Sequence, residues 1–168
     1  GAANLIYQFG TQEMKDMYLE KMYSGEWQGT MALTEPDVGS SLADLTTIAE
    51  PTDQGYYMIK GQKIFISAGN SDIVDNVIHL LIAKLKDGPL GVPGISLFIV
   101  PEKRINKNGE LEYNDVQCGG IEHKLGYKGS PICQLTFGEE KNCRGWLVGE
   151  LGKGLAQMFK MMNEERIN

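Results

Sequence analysis

Apolar residues recur along this chain with two spacings, and the changes of spacing divide it into three stretches. Met14, Met17, Tyr18 and Met22 fall three or four residues apart, which puts side chains on one face of a helix. Thr11 stands where an N-cap is wanted, Glu13 lies in the first turn, and Gly25 supplies a stop. A short amphipathic helix is therefore expected between Thr11 and Gly25. From Trp27 onward the period drops to two. Residues 28–35, 43–50, 56–67, 74–86, 94–101, 115–123, 132–138 and 143–148 carry β-branched and aromatic residues, with Gly, Pro, Asn and Asp between them. The NKNG stretch at 106–109 predicts a turn between extended segments, with Gly109 free to take positive φ. Many short strands at regular spacing predict a mainly β fold, an antiparallel barrel or sandwich. After Gly149 the helical period returns: Leu151, Leu155, Met158 and Met162 form one stripe, flanked by Phe159 and Met161. That pattern reaches Asn168 without a Gly or Pro stop, as a helix cut in mid-pattern does. A piece of a longer protein is expected.

Composition narrows the function classes. The 168 residues are 42% apolar and 23% charged, enough for a packed core and too ordered a mixture for a disordered chain. With 16 Lys+Arg against 22 Asp+Glu, the net charge of -6 excludes the concentrated basic surface that a nucleic-acid partner requires. Cys118, Cys133 and Cys143 are odd in number and form no CxxC pair, while His79 and His123 are isolated. No metal site or disulfide framework is expected, and a reduced intracellular setting is. The longest apolar run, at 77–83, is too short to span a bilayer. His79 within that run is expected as a core or interface histidine, and Glu164 and Glu165 as a solvated face.

The stretch MALTEPDVGSS at 31–41 carries the most chemistry. An apolar strand end leads to Glu35 and Pro36; Pro36 has no N–H for a ladder and biases Glu35 toward extended backbone. Gly39 is expected to free the turn. Ser40 and Ser41 add hydroxyls and N–H groups that suit a phosphate. The same pattern fits an ordinary strand-to-loop exit, and local spacing leaves both open.

Three further motifs follow in register: GQKIFIS at 61–67, KLGYKGSP at 124–131 and WLVGELGKG at 146–154. In this order and spacing the set resembles the acyl-CoA dehydrogenase family, from about Gly10 to Arg166. The resemblance implies the end of an N-terminal helical domain at 1–26. It places a β-barrel middle domain at 27–149 and the start of a C-terminal helical domain at 150–168.

It also implies FAD. Thr34 and the backbone of Leu33 would meet the flavin pyrimidine edge, with Met31 in the same segment. Gly39 and Ser40 would meet the pyrophosphate, and Ser40 also the thioester end of the substrate. Phe65 would lie on the ring where many members have Trp, with Ile66 beside it. Ser67 would approach N5, the hydride-accepting atom. Asn163 and Arg166 would contact coenzyme A, although relatives often carry Asp at the position of Asn163. Without the resemblance, Ser67 reads as a strand-end hydroxyl and Phe65 as a core aromatic.

The implied reaction is α,β-dehydrogenation of a fatty acyl-CoA, passing electrons to an electron-transfer flavoprotein. The implied assembly is a dimer or tetramer, in bacterial cytoplasm or the mitochondrial matrix. No catalytic base is expected within this chain, and Glu35 does not match the family's base. The chain alone is expected to be inactive and to bind FAD weakly. Acyl-CoA oxidase or flavin monooxygenase chemistry on the same fold, and a cofactor-free interaction module, are the alternative readings.

Overall fold

The computed structural model describes residues 1–167. In chain order they form α1 (Ala2–Phe9), α2 (Gln12–Ser24), β1 (Trp27–Ala32), β2 (Ile48–Pro51), β3 (Tyr57–Ser67), β4 (Asn76–Leu85) and β5 (Ile95–Pro101). Then come β6 (Lys103–Ile105), β7 (Leu111–Tyr113), β8 (Val116–Ile121), β9 (Ile132–Phe137), β10 (Arg144–Val148) and α3 (Gly154–Ile167). The expected capping of α2 is present. The Thr11 hydroxyl accepts the Met14 N–H at 3.2 Å, and Gly25 closes the helix at φ 84°. The NKNG turn also forms, with Gly109 at φ 82° and its N–H on the Asn106 carbonyl at 3.0 Å.

Four expectations change. Helix α1 was not foreseen, because eight residues give the 3.6 period little room to show; Ala2, Leu5 and Ile6 nonetheless form its buried face. Residues 42–44 form a 3-10 turn, so the second strand starts only at Ile48. Leu151 lies before α3 and is exposed, because Gly149 and Gly152, both at positive φ, hold a turn there. The expectation that the helical pattern runs on to Asn168 falls on a residue outside the described ones.

The fourth change concerns the sheet. Its order is β1-β4-β5-β10-β3-β9-β8, with β2 paired to both β3 and β4. The expected antiparallel barrel or sandwich is instead a mixed sheet, since β4 runs parallel to both β1 and β2. Side-chain period reports which face a residue takes and is blind to strand direction. The long connection from β1 to β4, which itself contains β2 and β3, lets the chain return parallel.

Strands β4 and β5 are buried on both faces, as near-continuous apolar runs require. Ile78, Leu80, Ile82, Ile95, Leu97 and Ile99 pack toward the helices, against Leu5, Ile6, Tyr18, Met158 and Met161. Leu81, Ala83, Phe98 and Val100 point the other way, against Ile59, Ile66, Leu135, Phe137 and Cys143. His79 lies in the core, as expected. Its Nδ1 is 2.7 Å from the Thr30 hydroxyl and its ring meets Phe137 edge-on, but Nε2 has no partner among the described residues. Burial pushes its pKa down to about 3, so the ring is neutral near pH 7.

Leu81 is fully buried in the middle of this frame. Leu81→Ala is expected to lower unfolding free energy by roughly 2–5 kcal/mol, the usual cost of emptying a packed leucine site. Urea denaturation of the variant beside the parent measures it.

Candidate functional site

The chain leaves β1 at Ala32 and turns sharply. Glu35 donates its N–H to the Val38 carbonyl at 3.0 Å and accepts the Val38 N–H at 3.1 Å, enclosing Pro36 and Asp37. Proline presets φ at the first central position of such a turn. Val38 and Leu45 then anchor the loop in the helix-side core. The bend is thus made by Glu35–Val38, and the expectation that Gly39 supplies it is corrected: Gly39 has no positive φ. A Cβ built on Gly39 meets no atom within 4 Å, so the chain's own packing leaves open space beside it. Ser40 is exposed, and the Ser41 hydroxyl is bonded to the Asp44 carboxylate.

A buried ion pair fixes this turn to β3. Lys63, fully buried, places Nζ 3.0 Å from Glu35 Oε1 and donates to the Leu33 carbonyl at 3.0 Å. The Glu35 carboxylate also accepts from the Thr46 N–H at 2.6 Å, the Thr46 hydroxyl at 2.7 Å and the Thr47 N–H at 3.0 Å. Burial pushes the Glu35 carboxyl up, but Lys63 and the two threonines outweigh it, and its pKa falls to about 2. Burial lowers Lys63, with Glu35 offsetting part of that shift. Four hydrogen bonds to the pair, besides the one within it, are what make two buried charges tolerable.

One residue beyond Lys63 the strand changes phase. Ile59 and Lys63 point inward, yet the pairing of β3 with β9 shifts between Lys63 and Ile66, so Ile66 takes the inward place. Phe65 is left outward, 59% exposed, at φ 61°. For a bulky residue that backbone region is uncommon and costs about 1–2 kcal/mol. Phe65 is therefore no core aromatic. The Ile64 N–H bonds the Thr34 carbonyl at 2.9 Å and joins the turn to the bulge.

The structure brings together part of the expected set. Thr34 is half-buried, while Ser67, Phe65, Gly39 and Ser40 are exposed. Neither the Thr34 nor the Ser67 hydroxyl has a hydrogen-bond partner among the described residues. Ile66 and Leu33 turn their side chains into the two cores, and Met31 is half-buried against the helix-side core. Only the backbones of Leu33 and Ile66 remain for a ligand, and the Leu33 carbonyl is taken by Lys63. Asn163 and Arg166 lie on the outer face of α3, both exposed and bonded to each other at 3.4 Å, with no hydrogen bond to the turn or the bulge.

Lys63 was missed from sequence. A lysine in the inward phase of a strand, with a glutamate just past the end of another, was the available signal.

These features suit a flat, partly anionic ligand. An aromatic ring is held outward at a strained position, the two joined segments carry the unpartnered Thr34 and Ser67 hydroxyls, and open space adjoins Gly39. The chain belongs to the acyl-CoA dehydrogenase family: residues 30–139 match its middle domain. Butyryl-CoA dehydrogenase of Syntrophomonas wolfei is 49% identical across 100% of this chain, which covers 29% of that protein. The 3-methylmercaptopropionyl-CoA dehydrogenase of Ruegeria pomeroyi is 42% identical over 99% of the chain and 28% of its own length. An acyl-CoA dehydrogenase of Bacillus anthracis, solved in complex with FAD, superposes with a TM-score of 0.76 at 28% identity. That match covers 96% of this chain and 25% of the other.

Two outcomes follow from the geometry. The carboxyl of Glu35 is depressed from 4.5 to about 2, so its contribution is complete above pH 4.5 and lost as pH falls toward 2. In that window the parent should lose ~3 kcal/mol more stability than Glu35→Gln, read from denaturation curves at successive pH values. Phe65→Gly should stabilise the fold by up to about 1 kcal/mol, because glycine adopts positive φ without strain and little packing is lost. Thermal unfolding measures that gain.

Proposed function

We propose that this chain forms one wall of an FAD site in an enzyme that oxidises fatty acyl-CoA thioesters to trans-2-enoyl-CoA. The bond from the Ile64 N–H to the Thr34 carbonyl carries the reading, since it joins the two expected flavin-facing segments into one surface. The relatives named for acyl-CoA thioesters, and the one solved with FAD, support the same class.

FAD, when bound, supplies the acceptor for the hydride that leaves the β-carbon. The residues of this chain orient it. Thr34 offers its hydroxyl and N–H to the pyrimidine edge, where negative charge accumulates on reduction. Ser67 offers a hydroxyl toward N5. Phe65 supplies a flat apolar wall that excludes water from the ring. Gly39 leaves room for the pyrophosphate, and Ser40 donates to it and to the thioester end of the substrate. Asn163 and Arg166 hold the coenzyme A side. No residue here is assigned to remove the α-proton, and the chain by itself is expected to be inactive. An electron-transfer flavoprotein as acceptor and a dimeric or tetrameric assembly belong to the same reading.

Thr34→Val combined with Ser67→Ala removes both hydroxyls while conserving shape. The variant should keep its circular dichroism and bind FAD roughly 30-fold more weakly, as two lost hydrogen bonds of about 1 kcal/mol each imply. Equal FAD affinity of parent and variant in an equilibrium fluorescence titration would sink the assignment.

A further inference from the structure

The peptide unit joining Leu33 to Thr34 is engaged at one end only. Its carbonyl oxygen accepts from Lys63 Nζ at 3.0 Å. Its N–H, which belongs to the half-buried Thr34, has no acceptor among the described residues. The next carbonyl, that of Thr34, is held by the Ile64 N–H at 2.9 Å. Two successive residues of β3 therefore clamp the two carbonyls on either side of the Thr34 backbone.

Stability alone does not require a charge at this place. Lys63 has no exposed side-chain surface and Glu35 only 2%. A buried ion pair replaced by apolar side chains of similar volume is often neutral or stabilising. Retaining an ammonium here places a cation on one chosen carbonyl. Resonance couples the oxygen and nitrogen of a peptide. A cation on the oxygen draws electron density from the nitrogen, and in a low-dielectric interior such linked hydrogen bonds strengthen one another. The N–H at the other end becomes the better donor. Glu35 keeps the ammonium in place, and its own oxygens are held by Thr46 and Thr47.

We propose that Lys63, held by Glu35, is a positioning residue that polarises the Leu33–Thr34 peptide so that the Thr34 N–H stabilises charge at the flavin's pyrimidine edge. This rests on the flavin site proposed above. The effect grows with negative charge on the ring, so it favours the reduced form of the cofactor and raises its potential.

The test uses the FAD-loaded protein, Lys63→Met, and the double variant Glu35→Gln with Lys63→Met, which leaves no unpaired buried charge. Two quantities are read: the two-electron midpoint potential of the bound flavin, and the amide proton shifts of Thr34 and Ile64 in selectively labelled protein. Removing Lys63 should cut the preference for reduced over oxidised FAD about tenfold, a fall of about 30 mV for a two-electron couple. The Thr34 amide should move upfield while the Ile64 amide, which reports the loop's position, holds. An unchanged potential in the double variant overturns the proposal. So does joint movement of the Thr34 and Ile64 amides with loss of FAD in both variants, since Lys63 would then serve only the fold. A parent protein that takes up no FAD even at saturating cofactor fails earlier, on the flavin site itself, and the proposal falls with it.

Discussion

The ion pair between Lys63 and Glu35 is the constraint around which the rest of the site is arranged. Two charges enclosed by protein cost several kcal/mol each to desolvate, and only fixed partners offset that cost. Here the partners are backbone and threonine groups of the loop after β1, together with the Leu33 carbonyl. The loop is therefore held to β3 one residue before the strand changes phase. Because Thr34 adjoins the pair on one side and Phe65 on the other, the pair sets their separation.

A rigid frame lies beneath. Strands β4 and β5 divide the apolar interior into a helix-side and a sheet-side half, each filled by alternate residues of the same two strands. Strand β4 pairs with β1, β2 and β5, so the strand that feeds the candidate site is carried by one of the central buried strands. Loops on such a frame can carry strain. The bulge at Phe65 is a local cost of the kind that surrounding structure must hold in place.

Much of the frame was legible beforehand. The Thr11 cap, the Gly25 stop, the apolar runs of β4 and β5 and the Gly109 turn each depend on neighbours within a few residues. Local chemistry reports such features directly. The register of MALTEPDVGSS with GQKIFIS also named Thr34, Phe65 and Ser67 together, and the bond between Thr34 and Ile64 joins their segments. Other positions were not legible. Gly39 reads as a turn residue, but Pro36 and the Glu35–Val38 bridge make the bend. That Leu33 and Ile66 put their side chains into the two cores, and leave only backbone for the expected contacts, was not readable from spacing.

Sequence alone determined where the period is helical or extended, where the chain can turn, and which family its motifs resemble, because these follow from spacing and residue type. Tertiary structure decided that β4 runs parallel to β1 and β2, since side-chain alternation is identical in either direction. It decided that Phe65 faces outward, because a bulge shifts the phase of every later residue in the strand. It also turned Lys63 from one more strand residue into the partner of Glu35. Residues 28 positions apart share a charge only when the fold removes both from water.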